Sequence, residues 1–226
     1  DHIEYLPHKN EITATHNRPH DLAAGKARET GILFPRAAEI TRETPPGHFN
    51  ALFLKDVAPL VTDDFVEAVK EANLQEAFVV WNHQAWKGEE KGRWLDVHTT
   101  LYDNGWLHGM EICNGDSYYP NAHRWALEKN LTMVGNSDIH APDLNQRTTA
   151  DEHRTMTLVF AKQRTPEALK EALVKGRTAV WFEDQLIGQR EFLEPLFDAC
   201  VSMAGPHLRA SNAVWVKIHN SCDLEI

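Results

Sequence analysis

Two patterns of apolar positions alternate along the chain: short continuous runs and stretches with helical spacing. The helical spacing is clear in Phe65, Val66 and Val69, and it predicts helices at 63–76, around 122–127, at 165–175 and at 189–199. The continuous runs end in polar turns, and they predict strands at 31–41, 49–54, 77–81, 107–113, 131–134, 156–161, 178–182 and 212–219. Strands that alternate with helices are typical of a parallel α/β architecture.

The last part of the chain has a different pattern. A short helix at 189–199 and an alternating strand at 212–219 are followed by a polar end. We therefore expect two units, an α/β domain over residues 1–188 and a linker helix with the start of a β-rich module over 189–226. The alternative is an extra edge strand on the first sheet.

The composition of the chain narrows the range of functions that it can have. The chain has 23 Lys and Arg against 33 Asp and Glu, a formal net charge of −10, so a stable nucleic-acid partner is not expected. Its apolar runs are far shorter than the roughly 20 residues of a membrane-spanning helix. The three cysteines have no zinc or disulfide spacing and are read as ordinary thiols. The 13 histidines direct attention to metal binding.

Histidines and carboxylates recur at the ends of predicted strands. Because strand ends converge on one face of a parallel barrel, these side chains can meet there although they are distant in sequence. Mixed imidazole and carboxylate ligands suit Zn, Mn or Fe, and a carboxylate such as Glu39 can bridge two ions. Each residue alone is more typical of a hydrogen-bonded or exposed position; together they indicate a multinuclear site formed by Asp1, His2, Glu39, His48, His83, Asp138 and His140.

The order of these motifs resembles the PHP family (polymerase and histidinol phosphatase). The resemblance extends from residue 1 to about 182. The longer sequence segments around the motifs are most similar to exported bacterial PHP phosphodiesterases with a C-terminal β domain. It rests on DHIEY at 1–5, EIT at 39–41, GHFN at 47–50, WNH at 81–83, EICNG at 111–115 and SDIH at 137–140.

The resemblance implies a distorted (β/α)7 TIM-like barrel followed by the start of a small β domain. It also implies two or three divalent ions, Mn, Zn or Fe, in the intact protein. Glu39 would be the bridging carboxylate, and Glu39, His83 and Asp138 would carry catalysis. Six of nine expected metal ligands are found here, namely His2, Glu39, His48, His83, Asp138 and His140.

Two departures from the family pattern matter. The opening His-x-His, with a further His, is expected upstream of Asp1, so the barrel of residues 1–188 would lack its N-terminal strand. The 226 residues alone are then expected to hold a partial ligand set. In addition, Gln84 follows His83 where the family usually has Pro, which changes the stiffness of the turn more than its chemistry.

Four further residues are candidates for substrate binding, with ordinary surface roles as the alternative: Tyr5, His8, Arg42 and Arg147. Arginine and tyrosine can contact phosphoryl oxygens. Glu111 is a candidate for orienting a ligand or, alternatively, a solvated carboxylate. Four tryptophans have spacings that suit packing, with a substrate platform as the less favoured interpretation: Trp86, Trp94, Trp106 and Trp125.

The resulting hypothesis is a phosphodiesterase that acts on a small-molecule phosphate ester through a metal-activated hydroxide. The alternatives are a phosphomonoesterase of the histidinol-phosphatase type, a degenerate non-catalytic metal-binding module, and an amidohydrolase acting on C–N bonds. Neither a GxSxG elbow nor a GxxxxGK[ST] loop occurs in the sequence. Because the most similar family members are exported, a periplasmic or secreted location is expected.

Overall fold

The computed structural model describes residues 2–5, 15–140 and 153–222. The helices are α1 Arg18–Glu29, α2 Phe65–Leu74, α3 Asp96–Asp103, α4 Pro120–Glu128, α5 Pro166–Val174 and α6 Arg190–Cys200. The strands are β1 Ala37–Thr41, β2 His48–Leu52, β3 Phe78–Trp81, β4 Gly109–Asn114, β5 Ser117–Tyr118, β6 Thr132–Asn136, β7 Met156–Val159, β8 Thr178–Phe182, β9 Gln185–Gly188, β10 Val201–Met203, β11 Leu208–Arg209, β12 Val214–Trp215 and β13 Ile218–Asn220.

The largest sheet is mixed and runs in the order β1-β2-β3-β4-β5, with β6 also paired to β4. Strands β3, β4 and β6 are parallel, whereas β2 is antiparallel to both β1 and β3. Strands β1, β3, β4 and β6 therefore point the same way, and β2 begins at the edge where they end. The α/β class is confirmed, but the wholly parallel arrangement is wrong because β1 and β2 form a hairpin. A closed barrel is not seen among the described strands.

A second sheet, β7-β8-β9, is antiparallel throughout and packs beside β6. Side chains tie the two sheets together. Thr178 donates to the Met133 carbonyl at 2.7 Å, and Thr157 donates to the Gly135 carbonyl at 2.8 Å. The backbones approach closely at Gly135, where an added Cβ would lie 2.3 Å from Cγ1 of Val180. This junction holds β6, the strand that leads to Asp138.

Replacing Gly135 with Ala is expected to destabilise the protein by about 1–3 kcal/mol, because the new methyl group overpacks a filled junction. Urea denaturation measures the effect. The same substitution should cost less in a Val180→Ala background, where the clash is relieved. Gly25→Ala on α1 is the matched control, since nothing lies within 4 Å of its Cβ position. Equal effects at both glycines would contradict the role assigned to the junction.

Beneath the edge where these strands end lies a buried aromatic cluster. Trp81 stacks on His98 with 3.8 Å between ring centroids and on Trp125 at 5.7 Å. His98 accepts a hydrogen bond from the Leu95 amide and, through Nε2, donates one to the carbonyl of Pro46. Both ring nitrogens are thus satisfied in the neutral form, and burial lowers the pKa of His98 to about 4 despite the Pro46 hydrogen bond.

Because the folded pKa of His98 lies below the ordinary 6.5, the unfolded chain binds more protons between those values. Its contribution to stability, up to about 3 kcal/mol, is complete above pH 6.5 and is lost as the pH falls towards 4. His98→Gln keeps one donor and one acceptor but does not titrate. We expect its unfolding free energy to fall less than that of the wild type between pH 6.5 and 4. Parallel pH curves for the two proteins would disprove this.

The end of the described chain carries α6 and two short antiparallel pairs, β10 with β13 and β11 with β12. The single strand predicted at 212–219 is wrong, since β12 and β13 pair with different partners. The residues of these four strands are exposed or only partly buried. The division into domains at residue 188 stays a prediction. Among the described residues, no helix has the length and apolar character needed to cross a bilayer.

Most other predicted elements occur within a few residues of their expected bounds. Asp64 caps α2 by accepting from the Val66 and Glu67 amides, and Thr165 caps α5. The strand predicted at 31–41 begins only at Ala37, beyond Pro35, which has no backbone N–H to donate to a ladder. Helices α1 and α3 are not predicted from the sequence, and they bury few residues: Ala27 in the first, and His98 and Leu101 in the second.

Candidate metal site

The six predicted ligands lie on five segments of the described chain, and all of them line one cavity of about 800 Å³. The strand directions explain this convergence: β1 carries Glu39, β3 leads to His83 and β6 leads to Asp138. His48 begins β2, close to its predicted place just before the strand, whereas Glu39 lies in the middle of β1 and not at its end as predicted. The β1–β2 hairpin brings His48 to the edge of the sheet where β1 ends, because Thr41 pairs with His48.

Glu39 lies at the centre of the first group of donors. Its Oε1 is 3.2 Å from Nδ1 of His2 and 3.0 Å from Nδ1 of His48. His2 is positioned by a backbone bridge to Glu39 and by Thr41, whose hydroxyl is 2.7 Å from His2 Nδ1. Burial raises the pKa of Glu39, but hydrogen bonds from His48 and Thr41 and the charges of His2 and His48 outweigh it and lower that pKa to about 2. Glu39 is therefore an anion at neutral pH.

His83 links this group to a second group of side chains, those of Glu111 and Asp138. Its Nε2 lies 3.0 Å from Nδ1 of His48, and its Nδ1 lies 3.3 Å from Oε2 of Glu111 and 3.8 Å from Oδ2 of Asp138. That Nδ1 atom is buried and makes no hydrogen bond of good geometry. Burial favours the neutral ring, but the carboxylates of Glu111, Asp138 and Glu39 outweigh it and raise the pKa of His83. The ring is thus placed where positive charge is favoured.

Glu111 supports His83 from below the cavity and is 1% exposed. Its Oε2 accepts from the backbone N–H of His83 and from the Asn114 amide, and its Oε1 accepts from the Asn136 amide at 2.6 Å. Of the two roles predicted for Glu111, the structure supports orientation of a ligand, and the solvated carboxylate is wrong. This carboxylate ties together the ends of β3, β4 and β6.

Asp138 and His140 complete the described donors. His140 is an exposed side chain whose Nδ1 lies 2.7 Å from the carbonyl oxygen of Asp138. When Nδ1–H donates to that carbonyl, Nε2 keeps its lone pair, which is the usual arrangement of a metal-binding imidazole. Asp138 and His83 both have a positive φ, +48° and +23°. Such backbone strain at non-glycine residues is concentrated at functional sites.

The donors fit divalent ions in type and spacing. Two donors bound to one ion at about 2.1 Å lie roughly 3.0–3.4 Å apart, and the contacts of Glu39 with His2 and His48, and of His48 with His83, have this spacing. Within residues 2–5, 15–140 and 153–222, however, no three His, Cys, Asp or Glu side chains are arranged so that together they could hold one ion. Two of the six donors, Glu39 and Asp138, are carboxylates whose negative charge cations would neutralise.

The predicted substrate-binding residues have different surroundings. Tyr5 is exposed at the cavity, with its ring edge against His2 at 5.4 Å. Arg42 also lines the cavity, but its guanidinium pairs with Glu4 at 3.0 Å and donates to the Thr62 carbonyl. His8 and Arg147, like Asp1, lie outside the described residues.

Sequence reasoning missed several residues that line the cavity: Glu4, Thr41, Glu43, Lys87 and Asn114. Thr41 could have been found from its spacing, because it lies two residues after Glu39 and so shares its face of β1. Trp94 and Trp125 pack against the core, as predicted, and so does Trp106. Trp86 does not, since it stands at the cavity and remains 48% exposed.

The fold and these donors define an α/β protein with a His and carboxylate site suited to divalent ions. The chain is similar to a crystal structure described as a two-domain protein containing a predicted PHP-like metal-dependent phosphoesterase, from Bacteroides vulgatus. The TM-score is 0.90 and the sequence identity 44%, over 99% of this chain and 66% of the other. No protein-family model and no curated protein matches the chain.

This similarity confirms the resemblance to PHP proteins that the sequence predicts. The six predicted ligands of this chain, from His2 to His140, all lie at the one cavity.

Proposed function

We propose that the intact protein is a metal-dependent phosphoesterase that hydrolyses phosphodiesters of small molecules. The observation that carries the proposal is the convergence of six imidazole and carboxylate donors on one open cavity. The similar two-domain protein, described as containing a predicted metal-dependent phosphoesterase, supports the same reaction class. We further propose that the donors belong to a trinuclear site in a distorted (β/α)7 barrel and that the protein is periplasmic or secreted.

The charges of the cavity explain why ions are needed. Among the residues that the structure describes, four carboxylates line it, those of Glu4, Glu39, Glu43 and Asp138, against two permanent cations, Arg42 and Lys87. This surplus of negative charge repels a phosphate ester until it is neutralised. Where the bound ions neutralise this charge only in part, a diester with one negative charge is repelled less than a monoester with two. A volume of about 800 Å³ also leaves room for two ester substituents.

The chain's own residues position the reaction. When bound, divalent ions supply a hydroxide at neutral pH and positive charge for the phosphoryl oxygens. Glu39, ionised and held between the imidazoles of His2 and His48, would hold ions together with them. Glu111 fixes the backbone that presents His83. Tyr5 and Lys87, at the open side, are placed to meet the ester oxygens.

The test is hydrolysis by the intact protein loaded with Mn²⁺. We expect faster release of p-nitrophenol from bis(p-nitrophenyl) phosphate than from p-nitrophenyl phosphate, complete loss with a chelator, and recovery when Mn²⁺ is added back. Faster cleavage of the monoester would overturn the diester assignment. Stoichiometric metal without hydrolysis of either ester would show a non-catalytic metal-binding module and overturn the proposal.

A further inference from the structure

One exposed aromatic side chain of the cavity is not explained by packing. The ring of Trp86 lies beside two predicted ligands, with centroid distances of 5.2 Å to His48 and 6.0 Å to His83. It nevertheless remains 48% exposed, while Trp81 and Trp125 are buried in the cluster below. An exposed large ring does not gain the free energy that its burial would give. A role in ligand binding would explain its position.

The loop that carries Trp86 is well anchored. The Trp86 amide donates to the His83 carbonyl at 3.0 Å, and the Gly88 amide donates to the Ala85 carbonyl at 2.8 Å. Gln84, which lies between His83 and Ala85 in the sequence, is buried. Its backbone carbonyl is so close to Gly92 that a Cβ there would lie 2.0 Å away. The ring is therefore held in place before a ligand arrives, which reduces the entropy cost of stacking.

A cation accompanies the ring. Nζ of Lys87 lies 4.5 Å from the Trp86 ring centroid and 3.3 Å from Oε2 of Glu43. The Glu43 side chain is 92% exposed, so this ion pair contributes little and is readily exchanged for another anion. Arg42, by contrast, is held by Glu4 and Thr62. Among the described residues that line the cavity, Lys87 is thus more available to a ligand than Arg42.

We propose that Trp86 and Lys87 form a leaving-group subsite that selects phosphodiesters with an aromatic substituent, phenolic or nucleoside. This inference rests on the proposed phosphodiesterase function. The aromatic ring of the ester stacks on Trp86, and the ammonium of Lys87 meets the phosphoryl oxygens. Because the Trp86 ring lies within 6.0 Å of the His48 and His83 rings, a substituent on a phosphorus held near those donors reaches it.

The test measures binding rather than turnover. Diphenylphosphinate and dicyclohexylphosphinate have the same charge and similar size, lack a cleavable ester bond, and differ in aromaticity. By calorimetry on the intact Mn²⁺-loaded protein, we expect the phenyl compound to bind about 5-fold tighter, as an aromatic pair supplies. Trp86→Leu should bring the ratio close to one, with metal content and inorganic phosphate affinity unchanged, and Trp86→Phe should keep most of it.

Lys87→Met tests the contact of the Lys87 ammonium with the phosphoryl oxygens separately from stacking on Trp86. It should weaken both phosphinates equally, by about 3- to 10-fold, and leave their ratio unchanged. Trp215→Leu is the matched control, since that ring is 50% exposed on β12, and it should change neither value. Adenosine 5′-monophosphate methyl ester, compared with phenyl methyl phosphate, identifies which aromatic source binds better.

An unchanged ratio in Trp86→Leu would overturn the subsite. So would loss of metal or phosphate affinity in that variant, which would show that Trp86 only covers His48 and His83. Failure of the proposed function gives a different result. The wild type would then cleave no phosphodiester, while the phosphinate ratio and its loss in Trp86→Leu would still be measured.

Discussion

His83→Ala and Asp138→Asn are each expected to lower metal occupancy and turnover of the intact protein by about 100-fold or more. The physical reason is that each change removes a donor from the group joining Glu39 and Glu111, where neighbouring side chains lie 3.0–3.8 Å apart. Elemental analysis after dialysis and hydrolysis of bis(p-nitrophenyl) phosphate measure the two effects. Circular dichroism should show a retained fold.

His123→Ala is the matched control for these variants. His123 lies on α4, contacts the Tyr118 hydroxyl at 2.8 Å and is not among the residues lining the cavity. Its loss should leave metal content and turnover within twofold of the wild type, roughly the change expected of a surface substitution. Wild-type turnover in either His83→Ala or Asp138→Asn would contradict the assignment of the site.

Glu111→Gln is expected to destabilise the protein by about 2–4 kcal/mol, because it replaces a buried carboxylate that accepts three hydrogen bonds. The amide of Gln brings its own N–H groups towards the N–H of His83 or of an asparagine, so one contact turns repulsive. We also expect metal affinity to fall by about 10- to 100-fold, since Glu111 orients His83. Urea denaturation and metal titration measure the two changes.

Glu128→Gln provides the comparison for this change. Glu128 is an exposed residue paired with Arg124 on α4, and its neutralisation should cost no more than about 0.5 kcal/mol. A Glu111→Gln variant as stable as Glu128→Gln, with normal metal affinity, would show that the buried carboxylate has no positioning role.

Much of the candidate site followed from residue type and order. His83 and Asp138 could be identified because each follows an apolar run that ends in a polar turn, and β3 and β6 are those runs. Trp86 could not be separated from Trp94 and Trp125 in the same way. All three suit packing by their spacing, and only the neighbours of each ring decide which one stays exposed.

The α/β class and the approximate bounds of β2, β3, β4, β6, β7 and β8 follow from the amino-acid sequence alone, because apolar periodicity is a local property. The six candidate ligands from His2 to His140 follow from the order of the motifs that resemble the PHP family. The hairpin of β1 and β2 could be recognised only in the folded structure, since strand pairing is a contact between segments. The same is true of the burial of Glu111 under His83 and of the pairing of Arg42 with Glu4. Those roles depend on distances across the fold, which no residue's own neighbours in sequence fix.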